Sequence, residues 1–369
     1  MIVIPIRYTA LAFVMIFASS VVLAKDLEKL KLAPALPDTL SDGGLKKLEF
    51  ELGYEPPEPI LRRPPNYPKR QARKGQDGVV DISFMVSKDG DVFEAIVIDS
   101  THPDFEPQAI EAVQKYKYKP GSLDGQPIDS STKVRIWFQM RDSADAAGWL
   151  FFRLYKKTDK LLRAKKPDQK AIRRNLHLMA DADSLSGYSL AYLYLMEHRY
   201  ANKFLGKQEQ LYALRKLLFF QDSVNEKNKF LDLDTIKTVR MNILQLLIQL
   251  GYYGEARSNY YWLKKEMPDA AERFTKPMSE VYKRLKDGIA ISRPIKILDR
   301  GHDFLYLTKR SFEIHDVVGK IEKLNFYCSQ RFGAMDFVVG SNYQVPESWG
   351  SCDLQIVGES QTTGMLYQF

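Results

Sequence analysis

The hydrophobic period of this chain changes twice, which divides it before any other feature is read. In residues 78–99, Val80, Ile82, Phe84 and Val86 point one way while Asp81, Ser83 and Met85 point the other. A period of two over this length predicts a half-buried strand. Ser87-Lys88-Asp89-Gly90-Asp91 reads as a hairpin turn into a second strand, Val92 to Ile98. The period then becomes helical. Phe105, Ala109, Ala112, Val113 and Tyr116 fit an amphipathic helix that starts near Pro107 and stops at Pro120-Gly121. After Asp124-Gly125 a third strand, Ser131 to Gln139, alternates again. Val134, Ile136 and Phe138 are expected inside, and Lys133, Arg135 and Trp137 outside.

From 144 to 288 apolar residues recur every three or four positions. Helices are expected near 145–163, 168–180, 185–198, 208–222, 232–250, 254–266 and 276–287. Paired amphipathic helices with short links point to a helical repeat array. From 291 on, the β-like runs Ile295 to Leu298, Phe304 to Leu307 and Phe337 to Val339 alternate with glycine-bearing turns, as in a small all-β domain. The expected fold class is therefore multidomain α+β. Its parts are a β-β-α-β unit over 58–141, a helical domain over 142–290 and a β domain over 291–369. A length of 369 residues calls for two or three domains, and 45% hydrophobic residues excludes global disorder.

The N-terminus sets the compartment. Arg7 is the one charge before Lys25, and an apolar run from Tyr8 ends in Val22-Leu23-Ala24. Small residues there suit signal peptidase, so residues 1–24 read as a signal peptide cleaved after Ala24. The competing reading is an uncleaved inner-membrane anchor, although the run is short against the roughly 20 residues a bilayer needs. Either way the remainder is exported, to the periplasm when cleavage occurs. Losing Arg7 lowers the formal charge from +8 to +7. Residues 25–57 form a linker with a short helix expected from Lys25 to Leu32, followed by a proline-punctuated lead-in.

Two cysteines, Cys328 and Cys352, lie in the small β region. In an oxidising compartment such a pair forms a disulfide, worth about 3 kcal/mol for a loop of this length. They lack C-x-x-C spacing, and no further ligands are near enough in sequence for zinc.

Several spaced motifs then fall in order: Tyr67-Pro68, Gly75, Gly78, Asp89-Gly90, Tyr116-Lys117-Tyr118-Lys119-Pro120 and Asp124-Gly125. In this arrangement the segment from Pro65 to Met140 resembles the TonB C-terminal domain family. The resemblance implies a β-β-α-β unit that captures a short peptide of outer-membrane receptors by adding a strand to its sheet edge. It places Asn66, Tyr67, Pro68 and Arg70 near the peptide, and Ser131 through Gln139 as the edge strand. Three-stranded sheets have unpaired edges, and extended peptides pair with them. Lys133, Arg135 and Trp137 would then form a basic and aromatic row facing the partner.

The chain departs from an energy-coupling transducer of that family. The spacer, residues 25–60, spans roughly 120 Å even fully extended. The apolar N-terminal run contains no His, and more than half of the chain follows the domain. A weaker resemblance lies further on, where Gly251, Tyr253, Ala256, Tyr260 and Pro268 resemble half of a tetratricopeptide repeat, with a divergent earlier repeat over Tyr188 to Phe220.

No catalytic pattern stands out. His102, His177, His198, His302 and His315 form no H-E-x-x-H spacing, and neither a G-x-S-x-G elbow nor a P-loop is present. His177 with Asp181 and Asp183 fails as a calcium loop because Leu185 replaces a ligand. Arg62, Arg63, Lys69, Arg70, Arg73 and Lys74 form a basic cluster suited to an anionic membrane surface or an acidic partner. Export excludes nucleic acid as a partner. The expected protein is not an enzyme and carries neither cofactor nor metal. It is a periplasmic adaptor of a TonB-type transport system, binding cell-envelope proteins such as TonB-dependent outer-membrane receptors. The alternative is an envelope-structural protein that binds peptidoglycan or an outer-membrane assembly through its C-terminal β domain.

Overall fold

A computed structural model describes residues 53–140, 148–221 and 231–369. The expected signal peptide, its cleavage point and the helix from Lys25 lie outside these residues. No helix among the described residues is long and apolar enough to cross a membrane.

The first domain centres on a three-stranded antiparallel sheet. β1 (Tyr54–Glu55) and β2 (Glu58–Leu61) precede α1 (Lys69–Lys74), β3 (Gly78–Val86), β4 (Val92–Ser100) and α2 (Glu106–Val113). β5 (Lys117–Lys119), β6 (Gly121–Leu123), β7 (Gln126–Ile128) and β8 (Ser130–Phe138) follow. The sheet order is β4-β3-β8, and the short strands pair separately as β2-β5 and β1-β6-β7. Part of the expected linker is therefore strand. The β3–β4 turn closes through the Gly90 amide, which donates to the Ser87 carbonyl at 2.8 Å. Gly90 has φ +87, and a Cβ there would lie 2.1 Å from the Tyr118 carbonyl oxygen, so only glycine fits. α2 covers one face of the sheet, where Val80, Ile82, Phe84, Phe105, Ala109, Val113, Ile136 and Phe138 form one core.

The helical domain comprises α3 (Trp149–Arg163), α4 (Gln169–Ala180), α5 (Gly187–Phe204), α6 (Lys207–Leu217), α7 (Leu233–Leu250), α8 (Tyr253–Glu266), α9 (Pro268–Glu272) and α10 (Thr275–Lys286). Asp168, Ser186 and Asp232 cap α4, α5 and α7 by accepting backbone amides. Gly251 ends α7 in the left-handed conformation, and Ala256 and Tyr260 pack inward from α8. Pro268 opens the short α9 rather than closing a repeat, since its missing amide is harmless in a first turn.

The C-terminal region holds two four-stranded sheets. One is ordered β10-β15-β12-β13 and the other β14-β11-β16-β9. Their strands are β9 (Ile291–Lys296), β10 (His302–Tyr306), β11 (Ser311–Val318), β12 (Ile321–Cys328), β13 (Phe332–Asp336), β14 (Tyr343–Gln344), β15 (Cys352–Gly358) and β16 (Thr363–Gln368). Leu305, Leu324, Phe326, Leu354 and Ile356 from the first sheet meet Ile295, Phe312, Ile314 and Leu366 from the second. Cys328 and Cys352 face each other across β12 and β15 and are joined as a disulfide. Phe337 to Val339 is not a strand. It turns back, with the Phe337 ring 6.3 Å from Tyr343 and the Val338 amide donating to the Tyr343 hydroxyl.

β3 is not half-buried. Val79, Ser83 and Met85, on the face away from α2, are each at most 1% exposed. Val79 joins the core of the helical domain. Further along the same face the β10-β15-β12-β13 sheet packs, bringing Phe332 to 6.2 Å from Phe93 and Phe304 under Lys133. Both faces of this small sheet are thus covered by the chain itself.

Candidate functional site

The side of β8 away from β3 pairs with no strand among the described residues. Its chemistry follows from the register. Val79 directs both main-chain groups toward the end of β4: its amide donates to Thr101 Oγ1 and its carbonyl accepts from the Thr101 amide, each at 2.9 Å. Alternation turns the groups of Val80 toward its β8 partner, Ile136. β3 and β8 run from Gly78↔Phe138 to Val86↔Ser130 without a bulge. Ser130, Thr132, Val134, Ile136 and Phe138 therefore bond inward. The amides and carbonyls of Ser131, Lys133, Arg135 and Trp137 point away from the sheet. The Met140 amide, two residues past Phe138, donates inward to Asp77 Oδ1, which agrees with this phase.

The side chains of those outward-bonding residues do not form an open row. Arg135 makes a bidentate pair with Asp81, both bonds 2.8 Å, donates to the Leu218 carbonyl at 3.1 Å and lies 4.8 Å over the Phe219 ring. Trp137 sits edge-on to Phe220 at 5.8 Å. The Lys133 ammonium meets Asp353 at 2.8 Å and keeps half of its side chain in solvent. Burial pushes the Asp353 carboxyl up, against the pull of Lys133. The expectation of a solvent-facing row fails because the helical and C-terminal domains cover that face of the sheet. What the edge presents is main chain.

The Tyr67 segment lies at the Phe138 end of β8. The Tyr67 ring packs edge-on to Phe105 and Phe138, at 6.0 and 5.8 Å, and its hydroxyl donates to the Gln76 carbonyl. Burial, with Asp77 second, raises its phenol pKa. Pro68 is buried and caps α1, so Tyr67 and Pro68 close the core. Asn66 and Arg70 flank them on the surface, and Arg70 reaches Asp104 at 3.5 Å. Gly78 fits the same corner, because a Cβ would lie 2.2 Å from the Phe105 ring.

A polar joint that the sequence did not reveal holds the sheet against the other domains. The buried Lys216 ammonium contacts Asp99 and the Ser100 carbonyl. Arg300 pairs with Glu106 at 2.8 Å and donates to Ser100 Oγ at 2.9 Å. Nothing in the spacing of these residues joins them. Asp99 and Lys216 are 117 positions apart. No group of three or more His, Cys, Asp or Glu among the described residues is placed to hold a metal ion. His177 and Asp181 form an exposed 3.8 Å pair on one helix.

Residues 63–140 match the family model described as the Gram-negative bacterial TonB protein C-terminal. Similar solved structures include the TonB C-terminal domain of Pseudomonas aeruginosa in solution. That match has 21% identity over 26% of this chain and 93% of that chain, with TM-score 0.21. A second is the TonB2 protein of Vibrio anguillarum, at 27% identity over 30% of this chain and 96% of that chain, with TM-score 0.19. No curated protein matches the chain significantly. Residues 63–140 thus form a TonB C-terminal-like domain, held within a longer chain that adds helices on one side and a β sandwich beside them.

Proposed function

We propose that this chain is an envelope adaptor that takes up an extended partner peptide by strand addition along β8. A TonB C-terminal domain fits a TonB-type energy-transduction or envelope-interaction role. The observation that carries the finer reading is the side of β8 that pairs with no strand among the described residues, with the main chain of Ser131, Lys133 and Arg135 directed outward. Main-chain bonds supply most of the affinity in this mode. The covered side chains of Arg135 and Trp137 hold the strand straight, while the half-exposed Lys133 and the surface residues Asn66 and Arg70 meet the partner's side chains. The partner is a cell-envelope protein, with the periplasmic tail of a TonB-dependent outer-membrane receptor the foremost candidate. The role is binding rather than catalysis, in the periplasm or from an inner-membrane anchor.

Titrating the chain with a receptor-derived extended peptide, followed by backbone amide shifts, tests this. The amides of Ser131, Lys133 and Arg135 should shift most. Ser131→Pro removes an outward donor without touching the β3 ladder, and should abolish binding while the β3 amides keep their shifts. Peptide binding that leaves the β8 amides unmoved would sink the reading. A sacculus pull-down separates it from the envelope-structural alternative.

A further inference from the structure

α3 buries Phe151, Leu154, Tyr155, Thr158 and Leu162 against the helical core. At 100° per residue the opposite face carries Trp149, Leu150, Arg153, Lys156, Lys157 and Lys160. All six are exposed, Trp149 at 72% and Leu150 at 45%. A tryptophan this open at the start of a helix is unusual in a face that is otherwise cationic. Arg153 and Lys156 lie over the rings of Trp149 and Phe152, at 4.5 and 4.3 Å. Lys157 and Lys160 make no ion pair among the described residues. The acid of this helix, Asp159, is already held by Arg163 at 3.0 Å and Arg199 at 2.6 Å. Lys165 and Lys166 extend the exposed charge into the link before α4.

A row of unneutralised lysines ending in an open tryptophan matches the boundary of an anionic bilayer. Indole rings settle at headgroup depth, and each lysine or arginine near an anionic leaflet gains roughly fivefold in binding. We propose that the outer face of α3 docks the protein against an anionic phospholipid surface. Trp149 and Leu150 enter the headgroup layer, and Lys156, Lys157 and Lys160 meet lipid phosphates. Charge complementarity selects this occupant. The face is one helix wide and exposed along its length, so it offers a flat surface rather than a cleft for another protein's side chains. The surface is independent of the β8 edge.

The test uses the full chain with phosphatidylcholine vesicles, with or without phosphatidylglycerol, some carrying brominated acyl chains. Comparing Trp149→Phe with the parent isolates Trp149 quenching. This quenching should require phosphatidylglycerol and fade with salt. The triple variant Lys156→Gln, Lys157→Gln, Lys160→Gln should bind phosphatidylglycerol vesicles about 100-fold more weakly and lose the Trp149 quenching. Any contribution from residues 1–24 is common to all variants, and the quenching signal reports α3 even when the N-terminus holds the chain on the vesicle. These positions are exposed, so an unchanged circular dichroism spectrum is the folding control. Equal quenching in the parent and Trp149→Phe, or a triple variant that keeps the parent's Trp149 quenching, would overturn the proposal. So would capture by soluble polyglutamate, lost in the triple variant, without any preference for anionic vesicles.

Discussion

Glu197 shows how one residue can tie stability to pH. It lies on α5, in a groove shared with α4 and α6 whose far wall carries Lys170, Arg173 and Arg174. Its carboxyl accepts no hydrogen bond among the described residues. Burial pushes its pKa up from 4.5 to about 7, and Lys216 only partly counters this. The folded state therefore holds a proton that the unfolded chain has already lost above 4.5. The associated stability is complete below that pH and disappears as pH rises through about 7. Glu197→Gln keeps the shape and removes the titration. We expect it to match the parent at pH 4 and to be more stable at pH 8 by about 1–3 kcal/mol. Urea unfolding of both proteins across this range checks it. A difference that stays constant with pH would place the cause elsewhere than in the ionisation of this carboxyl.

Among elements, β12 and β15 illustrate what pattern can and cannot reveal. The pairing of Cys328 with Cys352 was legible because two cysteines in one small exported β region have few other uses. The strands that carry them were not fully legible: Phe337 to Val339 has strand composition but forms a turn, because Tyr343 supplies both a ring and a hydrogen bond to that segment. β3, β4 and β8 were readable from alternation, but the second face was not. Ser83 is small and polar enough for solvent or for a tight interface, and Asp81 and Arg135 look like surface charge until they are found paired at 2.8 Å. Met85 and Trp137 were the available clue, two large apolar residues on a face expected to be wet. The disulfide crosslinks neighbouring strands at residues separated by 24 positions. Replacing both cysteines with serine should lower stability by about 3 kcal/mol. Reductant should have the same effect on the parent and none on the variant. If reduction leaves the parent's urea midpoint unmoved, the bond does not contribute to stability.

For the whole molecule, the TonB-like domain is one wall of a larger block, so its behaviour should depend on the rest of the chain. The β10-β15-β12-β13 sheet and the turn Leu218–Phe220 that follows α6 cover the face that carries Ser83, Met85 and Arg135. Arg300 and His302 reach back to Glu106 and to the Val97 carbonyl. Arg293 shares the Glu255 carboxylate with Arg215, joining the β domain to α6 and α8. Removing residues 289–369 would uncover Met85 and Phe93, free Asp353's partner Lys133, and leave Glu255 with one arginine instead of two. Loss of one charge-assisted bond at a mostly buried carboxylate costs about 2 kcal/mol. The newly exposed apolar sheet face adds to this and provides a surface for self-association. We therefore expect the truncated chain to unfold at lower urea, to bind a hydrophobic dye and to elute as oligomers, while the full chain unfolds in one transition. A truncated protein that stays monomeric with the parent's urea midpoint would show that the domains merely touch. In that case the β8 edge would behave the same with or without the sandwich beside it. If instead the block is cooperative, peptide capture at β8 weakens on truncation even though no residue of the edge has been changed.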